Sequence, residues 1–288
     1  MKVDKSLNWI TWVLIAVYLG YVVTSSLTTV LPASASGWLF VPLINLVVIA
    51  HGLRMWKPRQ LLGFYVWVFA VSTLIENIGV NTGIPFGNYH YTEILGPQLG
   101  VVPIAIGFSY VPAAYFCWVI AVALTGQDRA QLTWATTLTR PIIASVAMVL
   151  WDLSLDPLNS TIGKSWIWEE GGAYFGVPII NFVGWFVTVI TFFVPFSIFL
   201  KFKTSGAKVR SEELPDQFWL QAVLVYVIMG LSRVLMAFTA THEVVIDSSG
   251  TAWDTGAIIQ SSGLITVFTM WFLAFLTIVI MRQSRSQR

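Results

Sequence analysis

The sequence predicts an all-α fold: a polytopic membrane helix bundle with about eight transmembrane helices and both termini cytoplasmic. Three observations carry this. Apolar residues make up 56% of the 288 residues and charged residues only 10%, against a usual charged share of about 25%. The mean hydropathy is +0.75. The basic residues also fall in step with the apolar stretches, as set out below. A soluble chain of this length would lack the charge to cover its surface. Composition therefore excludes a conventional cytosolic enzyme, a secreted disulfide scaffold and a disordered hub. The single cysteine, Cys117, lies in an apolar run, which excludes an internal disulfide and a cysteine metal cluster. Three histidines (His51, His90 and His242) are too few and too scattered to suggest a metal site. The net charge of +2 forms no patch suited to nucleic acid. No glycine-rich phosphate loop of either common type is present, so neither a metal nor a nucleotide cofactor is expected.

Taken in order, the apolar stretches cover residues 9–30, 38–51, 61–80, 101–124, 141–155, 177–200, 218–240 and 257–281. A span needs about 20 residues, with about 17–25 tolerated. The second and fifth fall short, so the count is eight or seven, within one integral-membrane domain over 1–288. The first follows Lys2 and Lys5, and Ala33-Ser34-Ala35 resembles a signal-peptidase site. Its apolar run of about 22 residues exceeds the roughly 7–15 of a signal peptide, so it reads as a retained first helix. The fourth and sixth open on Pro103 and Pro178, a residue well tolerated in a first helical turn. All runs are too long for spanning strands and lack period-two alternation.

The basic residues orient the bundle. With both ends inside, one side holds Lys2, Lys5, Arg54, Lys57, Arg59, Arg129, Arg140, Lys201, Lys203, Lys208, Arg210, Arg282, Arg285 and Arg288, which is 14 of 16. Lys164 is outside and Arg233 lies within a span. This is the bias of the positive-inside rule, and an odd number of spans would destroy it. The expected location is the cell membrane, multi-pass, with the site near the outer leaflet.

Placed on this topology, Glu76, Asp152, Asp156 and Arg233 gather at one depth near the outer ends of their spans. Asp152 and Asp156, at i and i+4, share a helix face, and Pro157 is expected to end that helix. Ionisable residues inside a membrane are costly and face the bundle interior. One explanation is a structural cluster in which Arg233 ties down a carboxylate. The other follows from charge: three carboxylates against one guanidinium leave an excess that favours a protonated carboxyl, able to act as a general acid.

Two outer loops follow the acid-bearing helices. One reads Asn81-Thr82-Gly83-Ile84-Pro85-Phe86-Gly87-Asn88-Tyr89-His90-Tyr91, and the other runs from Trp166-Ile167-Trp168 to Val177-Pro178. Both are dense in Gly and aromatics, as an interfacial aromatic belt would be. Glu76 precedes Pro103 by 27 residues and Asp152 precedes Pro178 by 26. The spacing suggests a repeated helix pair with a site at the repeat interface, or chance similarity of apolar segments. Asn181 and Trp185 share a face in the sixth span. There Asn181 orients a carboxylate or a water, or serves as interhelical glue.

The stretches Glu76 … Thr82-Gly83-Ile84-Pro85-Phe86-Gly87-Asn88-Tyr89-His90-Tyr91 … Gly96-Pro97 … Val102-Pro103, Asp152-Leu153-Ser154-Leu155-Asp156-Pro157, Trp166-Ile167-Trp168 and Gly172-Ala173-Tyr174-Phe175-Gly176-Val177-Pro178-Ile179-Ile180-Asn181-Phe182-Val183-Gly184-Trp185 resemble the CruF-like carotenoid biosynthesis protein family. That family includes carotenoid 1,2-hydratases and the bisanhydrobacterioruberin hydratase of haloarchaea. The resemblance covers about residues 50–200. It implies a carotenoid 1,2-hydratase, a hydro-lyase that adds water to the terminal (ψ-end) double bond of a linear carotenoid without a cofactor. Its implied partners are that substrate, water, the lipid bilayer and other carotenoid-pathway enzymes, with no nucleic acid.

The chemistry and the residues suit each other. A carboxylic acid protonates the less substituted carbon, and water captures the tertiary carbocation. Asp152 or Glu76 is the expected proton donor, with Asp156 as its partner or as acceptor of the water's proton. Tyr89, Tyr91, Trp168 and Tyr174 are the expected cation-facing wall, Asn181 and Trp185 further substrate-binding residues, and Arg233 a group that tunes the acids. A ψ-end cyclase or another cofactor-independent prenyl-lipid enzyme would begin with the same protonation. A proton-coupled transporter would also use intramembrane charges and Pro-broken spans, although its site is expected at the midplane. A purely structural scaffold would tolerate loss of all three acids.

Overall fold

The computed structural model describes residues 2–27, 33–126, 133–203 and 214–286. Arg129, Lys208, Arg210 and Arg288, used above to orient the chain, lie outside them. The described chain is an all-α polytopic bundle. Its helices are α1 (Lys2–Leu27), α2 (Ala33–Met55), α3 (Pro58–Thr82), α4 (Ile104–Leu124), α5 (Trp134–Pro157), α6 (Ile179–Lys203), α7 (Asp216–Ala237) and α8 (Thr255–Ile265). A π-helical turn, Thr266–Trp271, carries α8 into α9 (Phe272–Ser286), and the three form one span, Thr255–Gln283.

Seven of the described helices are long and apolar enough to cross a membrane, and the chain is a multi-pass membrane protein. The two stretches that look short in the sequence differ in outcome. The fifth lengthens to Trp134–Ile162, because Thr133 caps its start and a π-helical turn (Leu158–Ile162) continues past Pro157. The second forms a helix of 23 residues, within which Leu39–Met55 is a shorter apolar segment.

Local chemistry sets the helix ends. Pro58 opens α3, and Gln60 Oε1 accepts the Lys57 N–H at 2.9 Å. Gly83, with φ +73°, closes α3 in the left-handed conformation that glycine adopts without strain. At the opposite end of the bundle, Arg140 donates to Thr125 Oγ1 (2.8 Å) and the Gly126 carbonyl (3.1 Å), placing a cation at the C-terminus of α4. Asp254 accepts from the Gly256 and Ala257 N–H groups and caps α8.

The helix α4 is the axis of the bundle. It is buried almost throughout from Tyr110 to Ala123 and packs against α2, α3, α5, α7 and α9. The outward faces of the other helices carry exposed apolar side chains such as Leu62, Val66, Ile180, Val183, Phe268 and Phe275, as lipid contact requires.

Three antiparallel ribbons among the described residues were not expected from the sequence. They are β1 (Tyr89–Tyr91) with β4 (Trp166–Trp168), β2 (Gln98–Leu99) with β3 (Val102–Pro103), and β5 (Val244–Ile246) with β6 (Ala252–Asp254). The alternation of helix direction puts all three at the same end of the bundle.

Candidate active site

Glu76 on α3 and Asp152 and Asp156 on α5 approach that ribboned end, and they are 3%, 1% and 1% exposed. The two helices present them beneath the β1–β4 ribbon. Its register, Tyr89 opposite Trp168 and Tyr91 opposite Trp166, puts all four rings on one face. That face meets the acids. Tyr89 Oη donates to Glu76 Oε2 in a short hydrogen bond, and Tyr91 Oη donates to the same oxygen at 2.9 Å. Trp166 Nε1 and Trp168 Nε1 donate to Asp156 Oδ1 at 2.9 and 3.4 Å. Each strand thus serves the acid of the helix that precedes it in sequence. Burial, reinforced by the adjacent Glu76 carboxylate, holds the Tyr89 and Tyr91 phenols well above the usual range, so both remain hydroxyl donors at neutral pH.

On the opposite face of the ribbon His90 Nδ1 meets Glu169 Oε1 at 2.5 Å, and Asn88 Nδ2 donates to Glu170 Oε1 at 2.7 Å. These exposed contacts tie the strands together above the buried rings.

The bundle completes the set from below. Tyr110 Oη, from α4, donates to Glu76 Oε1 at 2.5 Å. Asn181 Nδ2, from α6, donates to Asp156 Oδ2 at 2.6 Å and to Asp152 Oδ2 at 3.2 Å. Glu76 and Asp156 therefore each accept several donors, whereas Asp152 accepts this one long bond among the described residues. Gly184, one turn beyond Asn181, lets α6 approach the loop. A Cβ there would lie 2.6 Å from the Pro85 carbonyl oxygen and 2.9 Å from Phe86 Cδ1.

The aromatic candidates divide. Tyr89, Tyr91 and Trp168 line the acid-facing side of the ribbon. Trp185 stacks on Tyr110, with centroids 4.7 Å apart and planes 2° apart, and meets Trp151 edge-on at 6.1 Å. Tyr174 instead donates to the Leu153 carbonyl at 2.9 Å and packs edge-on against Phe182. Arg233 is 4% exposed, at the depth of the acids. Its Nε donates to Ser154 Oγ at 3.0 Å and its Nη1 to Ser232 Oγ at 3.4 Å. Nη2 is buried without a partner, and no carboxylate lies at ion-pair distance among the described residues. Asp152 is within electrostatic reach of the guanidinium, so any influence acts through space.

Sequence reasoning did not name Tyr110 or Trp166 among the site residues. Trp166 was findable, since it repeats the alternation of Trp168 within one strand. Tyr110 sits in a strongly apolar helix that also carries Tyr115, so nothing in the sequence sets it apart. Among the described residues no group of three or more His, Cys, Asp and Glu side chains is arranged to hold a metal.

The two acid-bearing units also correspond in their return turns. Leu99 pairs with Val102 around Gly100 (φ +71°), and Tyr174 pairs with Val177 around Gly176 (φ +85°). Each turn delivers a Val-Pro pair to the start of the next helix.

Fold and site together define a multi-pass membrane protein with an enclosed carboxyl–aromatic centre near one end of the bundle. The chain belongs to the carotenoid biosynthesis protein family, whose model matches residues 36–247. It is similar to the bisanhydrobacterioruberin hydratase of Haloarcula japonica, with 34% identity over 115 residues, which is 40% of this chain and 37% of that protein's length. No solved structure matches the chain.

Proposed function

We propose that this protein is a carotenoid hydratase acting on the terminal double bond of a linear ψ-end carotenoid in the cell membrane. In this reading both termini are cytoplasmic and the ribboned end faces outward, as the distribution of basic residues supports. Family membership and the name of the Haloarcula japonica relative support the substrate class and the reaction. The observation that carries the mechanism is the unequal sharing of donors. Glu76 and Asp156 are each held by several N–H or O–H groups, the environment of an anion. Asp152, nearly donor-free, is the acid with a proton to give.

Asp152 transfers its proton to the less substituted alkene carbon, which uses the double bond's electron pair. The tertiary cation forms beside two fixed anions and the ring faces of Tyr89, Tyr91, Trp168 and Trp185, which stabilise it. A water oxygen then bonds to the cationic carbon and loses one proton, giving a tertiary alcohol. Asn181 holds Asp152 and Asp156 in register, and Arg233 offsets part of the carboxylate charge through space.

The test is a pigment assay in bacteria that accumulate lycopene or another ψ-end carotenoid, with Asp152→Asn beside the wild type. A product heavier by one water, absent in the variant, is expected. An isomer of unchanged mass would mean cyclisation instead. Unaltered pigment across several ψ-end substrates would sink the proposal.

A further inference from the structure

The two halves of the ribbon occupy equivalent positions but carry different donor chemistry. Around Asp156 every side-chain donor from the ribbon and α6 is an N–H of indole or amide. Such a group holds an anion but takes up no proton at ordinary pH. Around Glu76 every side-chain donor is a phenol: Tyr89, Tyr91 and Tyr110. A phenol gives its proton to one neighbour while accepting another on the same oxygen, so a proton can move through this half.

Tyr110 differs from the two ribbon tyrosines in position. It comes from α4, beneath the site, and takes the Glu76 oxygen that Tyr89 and Tyr91 leave open. Its ring is fixed by the parallel stack on Trp185. Asp152 lies within electrostatic reach of its hydroxyl. Trp185 in turn is one helical turn from Asn181, the residue that touches Asp152. The hydroxyl of Tyr110 therefore contacts the phenol-lined carboxylate and lies within electrostatic reach of the proton donor.

Resting on the hydratase reading above, we infer that Glu76 takes the proton released by the attacking water and that Tyr110 returns it to Asp152. The balance closes. Asp152 loses one proton to carbon, and water forms one C–O bond and releases one proton to a Glu76 oxygen. Glu76 then passes a proton to the Tyr110 oxygen as Tyr110 gives its own to Asp152. The sum is one water added to one double bond with every side chain restored. Glu76 is the catalytic base in this scheme, and Tyr110 acts through Glu76 and Asp152 as a positioning and relay residue. Asp156 remains a fixed anion throughout.

The experiment uses the full-length protein in lipid nanodiscs, a linear ψ-end carotenoid and D2O, with rapid mixing and mass analysis. Wild type is expected to give hydrated product. Glu76→Gln is expected to give at least tenfold less, while the recovered carotenoid gains deuterium at the vinylic carbon. Asp152 still protonates that carbon, and the uncaptured cation then collapses back to the alkene. Tyr110→Phe is expected to slow later turnovers at least tenfold more than the first, because Asp152 starts protonated but is not recharged. Replacing Tyr110 by a fluorotyrosine keeps ring and hydroxyl. It is expected to change the later turnovers more than the first.

Glu76→Gln hydrating at the wild-type rate would overturn the inference. So would Glu76→Gln that melts normally yet neither hydrates nor exchanges, since the defect would then lie at protonation. Tyr110→Phe slowing first and later turnovers equally would reduce Tyr110 to a structural role. Wild-type protein that forms no hydrated product refutes the hydratase reading itself, which is a different outcome from any of these.

Discussion

Asn181 offers the sharpest test of how the acids are held. Its amide bridges two carboxyls on adjacent turns of α5, at 2.6 Å to Asp156 and 3.2 Å to Asp152, and the residue is 1% exposed. Asn181→Leu keeps the volume and removes both donors. A neutral interhelical hydrogen bond in a membrane protein contributes about 0.6 kcal/mol, and one to a charged acceptor about 1.5–3 kcal/mol. The 2.6 Å contact belongs to the second class and the longer one to the first. The loss should therefore be about 2–4 kcal/mol. Asn181→Asp should cost more, since it sets a third carboxyl against the other two. Unfolding of the purified protein in mixed micelles, titrated with a denaturing detergent, measures both. A Leu variant within about 0.5 kcal/mol of wild type would refute the bridging argument. So would an Asp variant more stable than the Leu variant.

Two further outcomes follow from other parts of the molecule. Gly184→Ala places a methyl 2.6 Å from the Pro85 carbonyl oxygen, where backbone must move. The expected cost is about 1–3 kcal/mol, together with reduced pigment conversion as the ribbon lifts from Glu76. An unchanged melting temperature would contradict it. Asp247, in the turn between β5 and β6, loses solvation, which works against its charge. Bonds from Ser249, Trp253 and Thr251 outweigh that and hold its carboxyl below the usual range. Because its folded value is depressed, its contribution is present above the ordinary carboxylate range and is lost as pH falls through the depressed value. Trp253 fluorescence should report loosening of this hairpin in acid, and Asp247→Asn should abolish that pH dependence. Persistence of the same transition in Asp247→Asn would assign it elsewhere.

The bundle was legible because the bilayer reduces the fold to lengths and charges. The apolar runs alone locate the helices, of which seven among the described residues are long and apolar enough to span. The acids were legible too, since Glu76, Asp152 and Asp156 are expensive where they sit and stand out in apolar sequence. Their donors were less so. Tyr89, Tyr91 and Trp168 lie in loops that an aromatic belt explains equally well, and three-residue strands have too little pattern to reveal a ribbon. Arg233 illustrates the opposite limit. Depth along a helix can be read from sequence, but azimuth across a bundle cannot. Arg233 shares the depth of the acids and yet hydrogen-bonds to Ser154 and Ser232.

The β1–β4 ribbon bears on how such a protein is made. His90 and Glu169, which join across it, are 79 residues apart in the chain. Neither strand has a pairing partner until α4 and α5 have both been delivered to the bilayer. Glu76 thus leaves the ribosome well before Tyr110, and Asp156 before its two indoles. A chain inserted helix by helix lays down its most costly side chains first, and the residues that satisfy them arrive last. The centre is therefore complete only once α6 has been made. A chain truncated before Trp168 carries its acids without the cover that makes them useful.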